Sequence, residues 1–369
     1  MSGIYIHIPY CKSKCSYCDF YSVTELDTVH EFLNALEVEV KARAEVVRLD
    51  NKKIKVSTIY FGGGTPSLLK GGYVARIVGM LYDNFDVDIN CEITLEANPD
   101  TVSKEFIEEV VAAGVNRISL GVQSHCNKIL KAINRPHKFS DVKKAINLID
   151  KCGIRHVSVD AMVGLPNQDK RSILGTLRHL VSFKNVKHIS VYALTVEVGT
   201  SLYKSDFAVK SDDLADFYDL CVKYLADCGF DRYEVSNFAL TGFESRHNQK
   251  YWTSKNYFGF GAGAHSLVDG VRLQNPSDLN AYIKNPLSQI SHTLSKEEML
   301  EEAIILGLRT VKGLDLNRLK QEFCYDLLKE KTTQISELVK LGLVEVCDNT
   351  LRLADKAFYI MDSIVLKLI

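Results

Sequence analysis

Three cysteines spaced Cys11-x-x-x-Cys15-x-x-Cys18 are the residues whose type and spacing most plainly point to chemistry. A loop this short can wrap three thiolates around one iron–sulfur cubane, each thiolate on its own iron. A fourth ligand is missing, because Asp19 and Phe20 follow and no other cysteine is near in sequence. An iron left open can take a chelating amino and carboxylate group. Two other readings stay open at this point. One is a structural zinc site completed by His7 or a distant cysteine; the other is three unligated core thiols. The remaining cysteines, Cys91, Cys126, Cys152, Cys221, Cys228, Cys324 and Cys347, stand singly and read as small buried hydrophobes.

Further polar residues sit where a ligand pocket would need them. Phe61-Gly62-Gly63-Gly64-Thr65-Pro66 places three glycines after an apolar run, so that the backbone can approach a ligand closely. Glu96, Gln123 and Asp160 each fall at or near the end of a β-branched run, and Arg135 follows in a loop. Singly, each reads as a cap or a local hydrogen bond; in register they read as one polar pocket. A second group, His247-Asn248-x-x-Tyr251-Trp252, joins a potential iron ligand to aromatic rings that can face a flat apolar molecule. By composition alone it is equally a histidine packed on an aromatic cluster. His265, in Gly261-Ala262-Gly263-Ala264-His265-Ser266, is a weaker second candidate.

The elements that must position these groups follow from periodicity. Strands are predicted at Ile4–Ile8, Val56–Phe61, Glu92–Ala97, Arg117–Val122, His156–Met162 and His188–Ala193, with helices at Val29–Val47, Lys104–Ala113, Asp141–Cys152 and Lys170–Phe183. The alternation implies βαβ units and a parallel sheet. Six units are too few for the usual eight-stranded barrel, so an α/β partial barrel is expected, with a flat doubly wound sheet as the alternative. Ligands in such folds sit at the carboxyl ends of the strands. Beyond them, Asp212–Cys228 reads as a helix, Tyr233–Phe238 as a strand and Thr241–Ser266 as loop. Helices at Glu297–Leu308, Leu316–Phe323 and Thr333–Leu341, then a hairpin turning at Asp348-Asn349, predict a small winged-helix-like α+β domain. The expected domains are residues 1–240 (core), 241–294 (connecting region) and 295–369 (C-terminal domain).

Composition narrows the partners. The chain has 369 residues, of which 46% are hydrophobic and 25% charged, and its formal net charge is -1, so no overall field draws it to nucleic acid or an anionic membrane. Neither an apolar run long enough to span a bilayer nor a signal-peptide pattern is present, and a cytoplasmic location is expected.

At these residues the sequence resembles a known superfamily. The cysteine triad with Tyr17 before its last member is similar to the radical S-adenosylmethionine (SAM) signature. Together with Tyr5-x-His7-Ile8-Pro9 and Gly62-Gly63-Gly64-Thr65-Pro66, it resembles the oxygen-independent coproporphyrinogen III oxidase-like family over nearly the whole chain. The resemblance implies a partial (β/α)6 radical-SAM barrel carrying a [4Fe-4S] cluster on Cys11, Cys15 and Cys18. It further implies that Tyr5 and Tyr17 lie near SAM. Gly63, Gly64, Thr65 and Glu96 would meet its methionine amino group, and Arg135 its carboxylate. Gln123 and Asp160 would bind its ribose, and Ala193 would face its adenine.

Three features point within that family to its heme-chaperone branch rather than to the oxidases. Phe20 stands where the oxidases carry a further cysteine, only ten residues precede Cys11, and the His-Asn-x-x-Tyr-Trp motif holds the chain's single tryptophan. The implied cargo is heme, held at a site including His247, Tyr251 and Trp252 and passed to an acceptor protein, with peripheral contact to a membrane-bound acceptor allowed. The alternative activity is oxidation of coproporphyrinogen III through a 5'-deoxyadenosyl radical. A third reading, a zinc-bearing DNA-binding module, finds no basic stripe in residues 296–369.

Overall fold

The strands that carry the fold alternate apolar and polar residues, and the alternation decides which way they face. A computed structural model describes residues 1–48 and 52–369. Six parallel strands, β1 (Ser2–Ile8), β2 (Lys55–Gly63), β3 (Asp86–Ala97), β4 (Arg117–Gln123), β5 (His156–Val163) and β6 (Val186–Ala193), lie side by side in chain order. Helices Val29–Val46, Gly71–Asn84, Lys104–Ala112, Phe139–Lys151 and Lys170–Val181 join them, and Ser211–Asp227 follows the sixth. This is the expected partial (β/α)6 barrel.

One face of each strand packs on the helices: Ile4, Ile6, Ile8, Ile59, Phe61, Leu95, Ile118, Leu120, Val157 and Val159 share one core with helix residues such as Phe32, Leu36, Ile77 and Ile146. The alternate residues, one apart and so on the opposite face, are polar. They include Tyr5 and His7, Thr58 and Tyr60, Thr94 and Glu96, Ser119, Ser158 and Asp160, and His188 and Ser190. Buried parallel strands are ordinarily apolar on both faces. Here the inner face is not a second hydrophobic core.

The expected loop at 241–266 is structured instead. Ser245 caps a helix at Arg246–Trp252, accepting a hydrogen bond from the Asn248 N–H. Strand β9 (Tyr257–Phe260) then joins the free edge of β1 in parallel. Its glycine reads as a flexible position in sequence, but Gly259 is a close approach: a Cβ there would lie 1.9 Å from the His265 carbonyl oxygen. Phe258 and Phe260 are buried in the main core. Strands β10 (His265–Val268), β11 (Val271–Gln274) and β12 (Ile290–Thr293) continue the sheet antiparallel. The predicted strand Tyr233–Phe238 is corrected to two short ones, β7 (Asp231–Arg232) and β8 (Asn237–Ala239), because the chain turns back between them with Tyr233 N–H donating to Asn237 O. All twelve strands form one sheet.

A second hydrophobic core lies within residues 303–368. Around it fold helices Lys296–Leu308, Leu316–Phe323, Thr332–Lys340 and Met361–Leu368 and a small sheet, β13 (Leu314–Asp315), β14 (Val344–Cys347) and β15 (Thr350–Leu353). The wing has three strands where the sequence suggested two, since β13 adds to β15. The predicted turn is present, with Asp348 and Asn349 both at positive φ, as a two-residue hairpin requires. This unit docks on the barrel where Arg232 stacks on Phe358, 3.8 Å from the ring centroid, and where Arg309 lies over Trp252 at 5.0 Å.

The extension β9–β12 is tied to the first helix by a buried ion pair. Arg43 meets Glu39 at 2.8 Å and donates to Gly259 O and Ser266 Oγ, while Glu39 accepts from Gly261 N–H, Asn275 and Tyr282. Removing one member strands a buried charge, which costs about 3–5 kcal/mol. Arg43→Met is therefore expected to lower the urea unfolding free energy by about that amount; a loss of under about 1 kcal/mol, the size of a surface pair, would show that the extension does not depend on this contact.

Candidate functional site

The cysteine loop leaves β1 and is closed at its neck by ladder-like bonds, Val23 N–H to Pro9 O at 2.7 Å and Cys11 N–H to Val23 O at 2.8 Å. Its far side is pinned to segments that follow other strands. Ser16 N–H donates to Ile133 O, Leu202 N–H to Ser16 O, and the Asn134 side chain to Lys14 O. The loop is thus held over the carboxyl ends of the strands by two separate parts of the chain, around 133–134 and at Leu202. Thr65 Oγ1 donates toward Cys11 Sγ at 3.6 Å, and Arg135 Nη1 toward Cys15 Sγ at 3.3 Å. Burial raises the thiol pKa of Cys18.

The zinc reading completed by His7 loses its support. His7 has no free nitrogen, since Nε2 meets Tyr21 O at 3.0 Å and Nδ1 meets the Tyr5 hydroxyl at 3.2 Å. Among the described residues no three cysteine, histidine or carboxylate groups are gathered as around a single ion. Thiolates that each hold a different iron of one cluster need no such gathering.

Beneath the loop lies a cavity of about 560 Å³. Tyr17, Cys18, Gly63, Gly64, Thr65, Glu96, Gln123, Arg135, Asp160 and Ala193 all line it, so most of the polar residues singled out in the sequence converge. Phe20, 69% exposed, stands at its wall. The glycine run is a cradle with no room to spare. Gly63 has φ +106° and its Cβ would collide with the His7 ring, and a Cβ on Gly64 would lie 2.6 Å from Tyr10 O. Gln123 is also left-handed (φ 64°) at a register shift between β4 and β5, and its buried Oε1 has no partner. A buried acceptor left unpaired is costly, and a ligand hydroxyl would satisfy it.

Glu96 accepts from the Tyr60 hydroxyl at 2.7 Å, and burial still pushes its pKa up to about 7. Asp160 is likewise raised by burial, against hydrogen bonds from Ser190 and Ser119. Arg135 Nη2 donates to Asn98 Oδ1 and to Gly121 O, while its Nε is buried without a partner. Asn98 was not apparent from sequence. It links Thr65, through its Nδ2, to Arg135, and its only signal was its place just past the end of β3. Orphaned acceptor, backbone cradle, paired acids and arginine together fit an amino acid bearing a hydroxylated substituent, beside a thiolate-bound cluster.

Two expectations land elsewhere. Tyr5 does not line the cavity; its ring stacks on Tyr60 at 6.2 Å and its hydroxyl meets His7. His247 is 1% exposed inside the barrel, with Nδ1 on Thr58 Oγ1 and Nε2 on the Tyr251 hydroxyl, both at 2.9 Å, and its ring stacked on Tyr60. Burial lowers its pKa to about 3. It is a neutral histidine with both nitrogens hydrogen-bonded to hydroxyls. Trp252 lies beneath Arg309 at the junction with the C-terminal unit, and His265 is exposed on β10.

Residues 5–180 match the family model of the Radical SAM superfamily, and residues 294–360 that of the HemN C-terminal domain. The chain is 31% identical to heme chaperone HemW of Lactococcus lactis over 98% of this chain and 96% of that protein. It is 34% identical to HemW of Bacillus subtilis over 93% of each. Against HemW of Escherichia coli it is 38% identical over 72% of this chain and 70% of that one. Among solved structures, coproporphyrinogen III oxidase (HemN) from Escherichia coli, a radical SAM enzyme, superposes with a TM-score of 0.85 at 21% identity, covering 99% of this chain and 89% of that one. The fold is shared.

The raised pKa of Glu96 has a testable sign. The folded chain keeps a proton that a free glutamate near 4.5 releases, so Glu96 favours folding below about pH 4.5 and loses that contribution as pH rises through about 7. Thermal midpoints measured across this window should fall less steeply with pH in Glu96→Gln than in the parent chain. Equal slopes would mean that Glu96 is ionised throughout.

Proposed function

We propose that this chain, which belongs to the HemW family of radical-SAM proteins, binds heme and transfers it to an acceptor protein. The observation that carries the proposal is the end-to-end similarity to proteins named heme chaperone HemW. Phe20 at the cavity, where the oxidases bear a cysteine, points the same way.

In this reading Cys11, Cys15 and Cys18 hold the [4Fe-4S] cluster, and the cavity below them takes SAM. Gly63, Gly64 and Thr65 offer backbone and hydroxyl groups to the ammonium end, with Glu96 as its counter-charge. Arg135 is placed for the carboxylate, and its unpartnered Nε supports that role. Gln123 and Asp160 take the ribose hydroxyls, with Tyr17 and Ala193 toward the rest of the nucleoside. Tyr5 acts from beneath, through His7 and Tyr60. When bound, the cluster supplies one-electron reduction of a coordinated sulfonium. The chain's own part is to fix the ligand, to shield it under the cysteine loop, and to hold a proton on Glu96 or release it as the ammonium arrives.

The His247, Tyr251 and Trp252 motif serves heme, with His247 held between the Thr58 and Tyr251 hydroxyls. Residues 1–240 form the core and 295–369 a C-terminal domain with its own hydrophobic centre. The 241–294 segment completes the sheet beside β1. No helix among the described residues is long and apolar enough to cross a membrane. An acceptor, membrane-bound or not, would be met through the protein surface.

An anaerobic hemin titration of the cluster-reconstituted chain, run beside a coproporphyrinogen III turnover assay with SAM and reductant, separates chaperone from oxidase. A saturable, stoichiometric Soret band without turnover is expected. Turnover without saturable heme uptake would make the chain an oxidase.

A further inference from the structure

Asn98 stands between the two side chains that reach toward the cysteine sulfurs, Thr65 and Arg135. It follows β3 directly and precedes Pro99, which confines its backbone to extended geometry. Its N–H donates to Ser67 Oγ at 3.2 Å, and its carbonyl accepts from the Thr101 N–H at 3.0 Å and the Thr101 hydroxyl at 2.8 Å. The backbone is thus held without help from the side chain, whose amide is left to the wall of the upper cavity.

Which way that amide faces follows from its partners. A guanidinium can only donate, so the amide oxygen turns to Arg135, with Oδ1 2.9 Å from Nη2. The amide nitrogen is then turned to Thr65, with Nδ2 3.1 Å from Oγ1. A hydroxyl that accepts from Asn98 keeps its single proton for another partner, and Cys11 Sγ lies 3.6 Å away. On the other side, Asn98 Oδ1 and Gly121 O together hold Nη2 of Arg135. Nη1 is left directed at Cys15 Sγ, 3.3 Å away. One amide therefore orients the donors to two of the three thiols.

Resting on the reading that Cys11, Cys15 and Cys18 hold the cluster, we propose that Asn98 is a positioning residue that sets the cluster's reduction potential, by aiming the Thr65 hydroxyl at Cys11 and the Arg135 guanidinium at Cys15. An electron taken up by a cluster adds negative charge to the sulfurs around it. A donor aimed at a ligand sulfur stabilises the reduced state more than the oxidised one, and so raises the potential. Such bonds count for more where water is kept out, and Thr65 is 4% exposed.

The test is an anaerobic potentiometric titration of the full, cluster-reconstituted chain without SAM, read by electron paramagnetic resonance of the reduced cluster. Dithionite supplies the one electron that takes [4Fe-4S]2+ to [4Fe-4S]+. Iron and sulfide content and far-ultraviolet circular dichroism are measured on every variant. Asn98→Leu, which keeps the size and loses both hydrogen bonds, is expected to disfavour reduction about tenfold, a shift of about 59 mV to more negative potential for one electron. Thr65→Val should shift the midpoint the same way by less, and Thr65→Ser, which keeps the hydroxyl, should return it to the parent value. Asn98→Leu combined with Thr65→Val should shift it by less than the sum of the two, because part of the Asn98 effect passes through Thr65.

A merely structural Asn98 would lower cluster content or thermal stability and leave the midpoint of the assembled fraction unchanged; that result would overturn the proposal. Strict additivity would overturn the route through Thr65. Should Asn98→Leu assemble no cluster, Asn98→Asp carries the test, since its carboxylate accepts from Arg135 but cannot donate to Thr65. A midpoint at or above the parent value in Asn98→Asp would overturn the proposal. A parent chain that assembles no [4Fe-4S] cluster would overturn the cysteine reading itself, and this inference with it.

Discussion

The polar inner face of six parallel strands is the constraint on which the rest of this protein depends. Tyr60, Glu96, Ser119, Asp160 and Ser190 occupy positions that a buried parallel sheet ordinarily fills with valine and isoleucine. Polar side chains taken from water must find partners. The barrel answers in two ways. Midway along, the residues satisfy one another, as in the Ser158–His188–Tyr233 and Thr58–His247–Tyr251 chains. At the two ends they do not, and cavities remain, one holding the unpartnered Gln123 Oε1 and the Arg135 Nε beneath the cysteine loop and one lined by Arg117 at the other end.

The open barrel makes this possible. Its wall is completed by β9–β12, which run on from the edge of β1, and by β8 and β7 beyond β6. Helix Arg246–Trp252 supplies an inward histidine without a strand of its own. Lys250, on the same helix, donates to Met1 O and Ser57 Oγ, which binds the helix to the amino ends of β1 and β2. The Glu39–Arg43 pair holds the extension from the other side.

The cysteine loop shows how precision is obtained from irregular chain. It has no regular structure over most of its length, yet the anchors at Ile133, Asn134 and Leu202 come from segments far apart in sequence. Arg135 couples the loop to the cavity, touching Cys15 through one nitrogen and Gly121 and Asn98 through another. Cys15 and the groups that line the cavity are therefore positioned by one side chain. Second contacts of this kind set ligand orientation in metal sites generally.

The sequence by itself determined the six βα units, the cysteine triad, the glycine cradle and the convergence of Glu96, Gln123, Arg135 and Asp160. Each of these follows from local periodicity, or from the rule that ligands collect at the carboxyl ends of parallel strands. It also carried the family. It misread 241–266 as loop, because Gly259 serves close backbone approach within a strand while Gly242 and Gly263 form turns, and a missing Cβ looks the same in either role. Asn98 and Arg117 were invisible, since a single polar residue at a strand end has no periodic signature. The fate of the histidines was decided only in three dimensions. His247 sits in a motif that suggests a ligand but is buried with both nitrogens engaged, while His156, in no motif, stands open on a cavity. Composition names the groups that can bind iron; only packing decides what each of them meets.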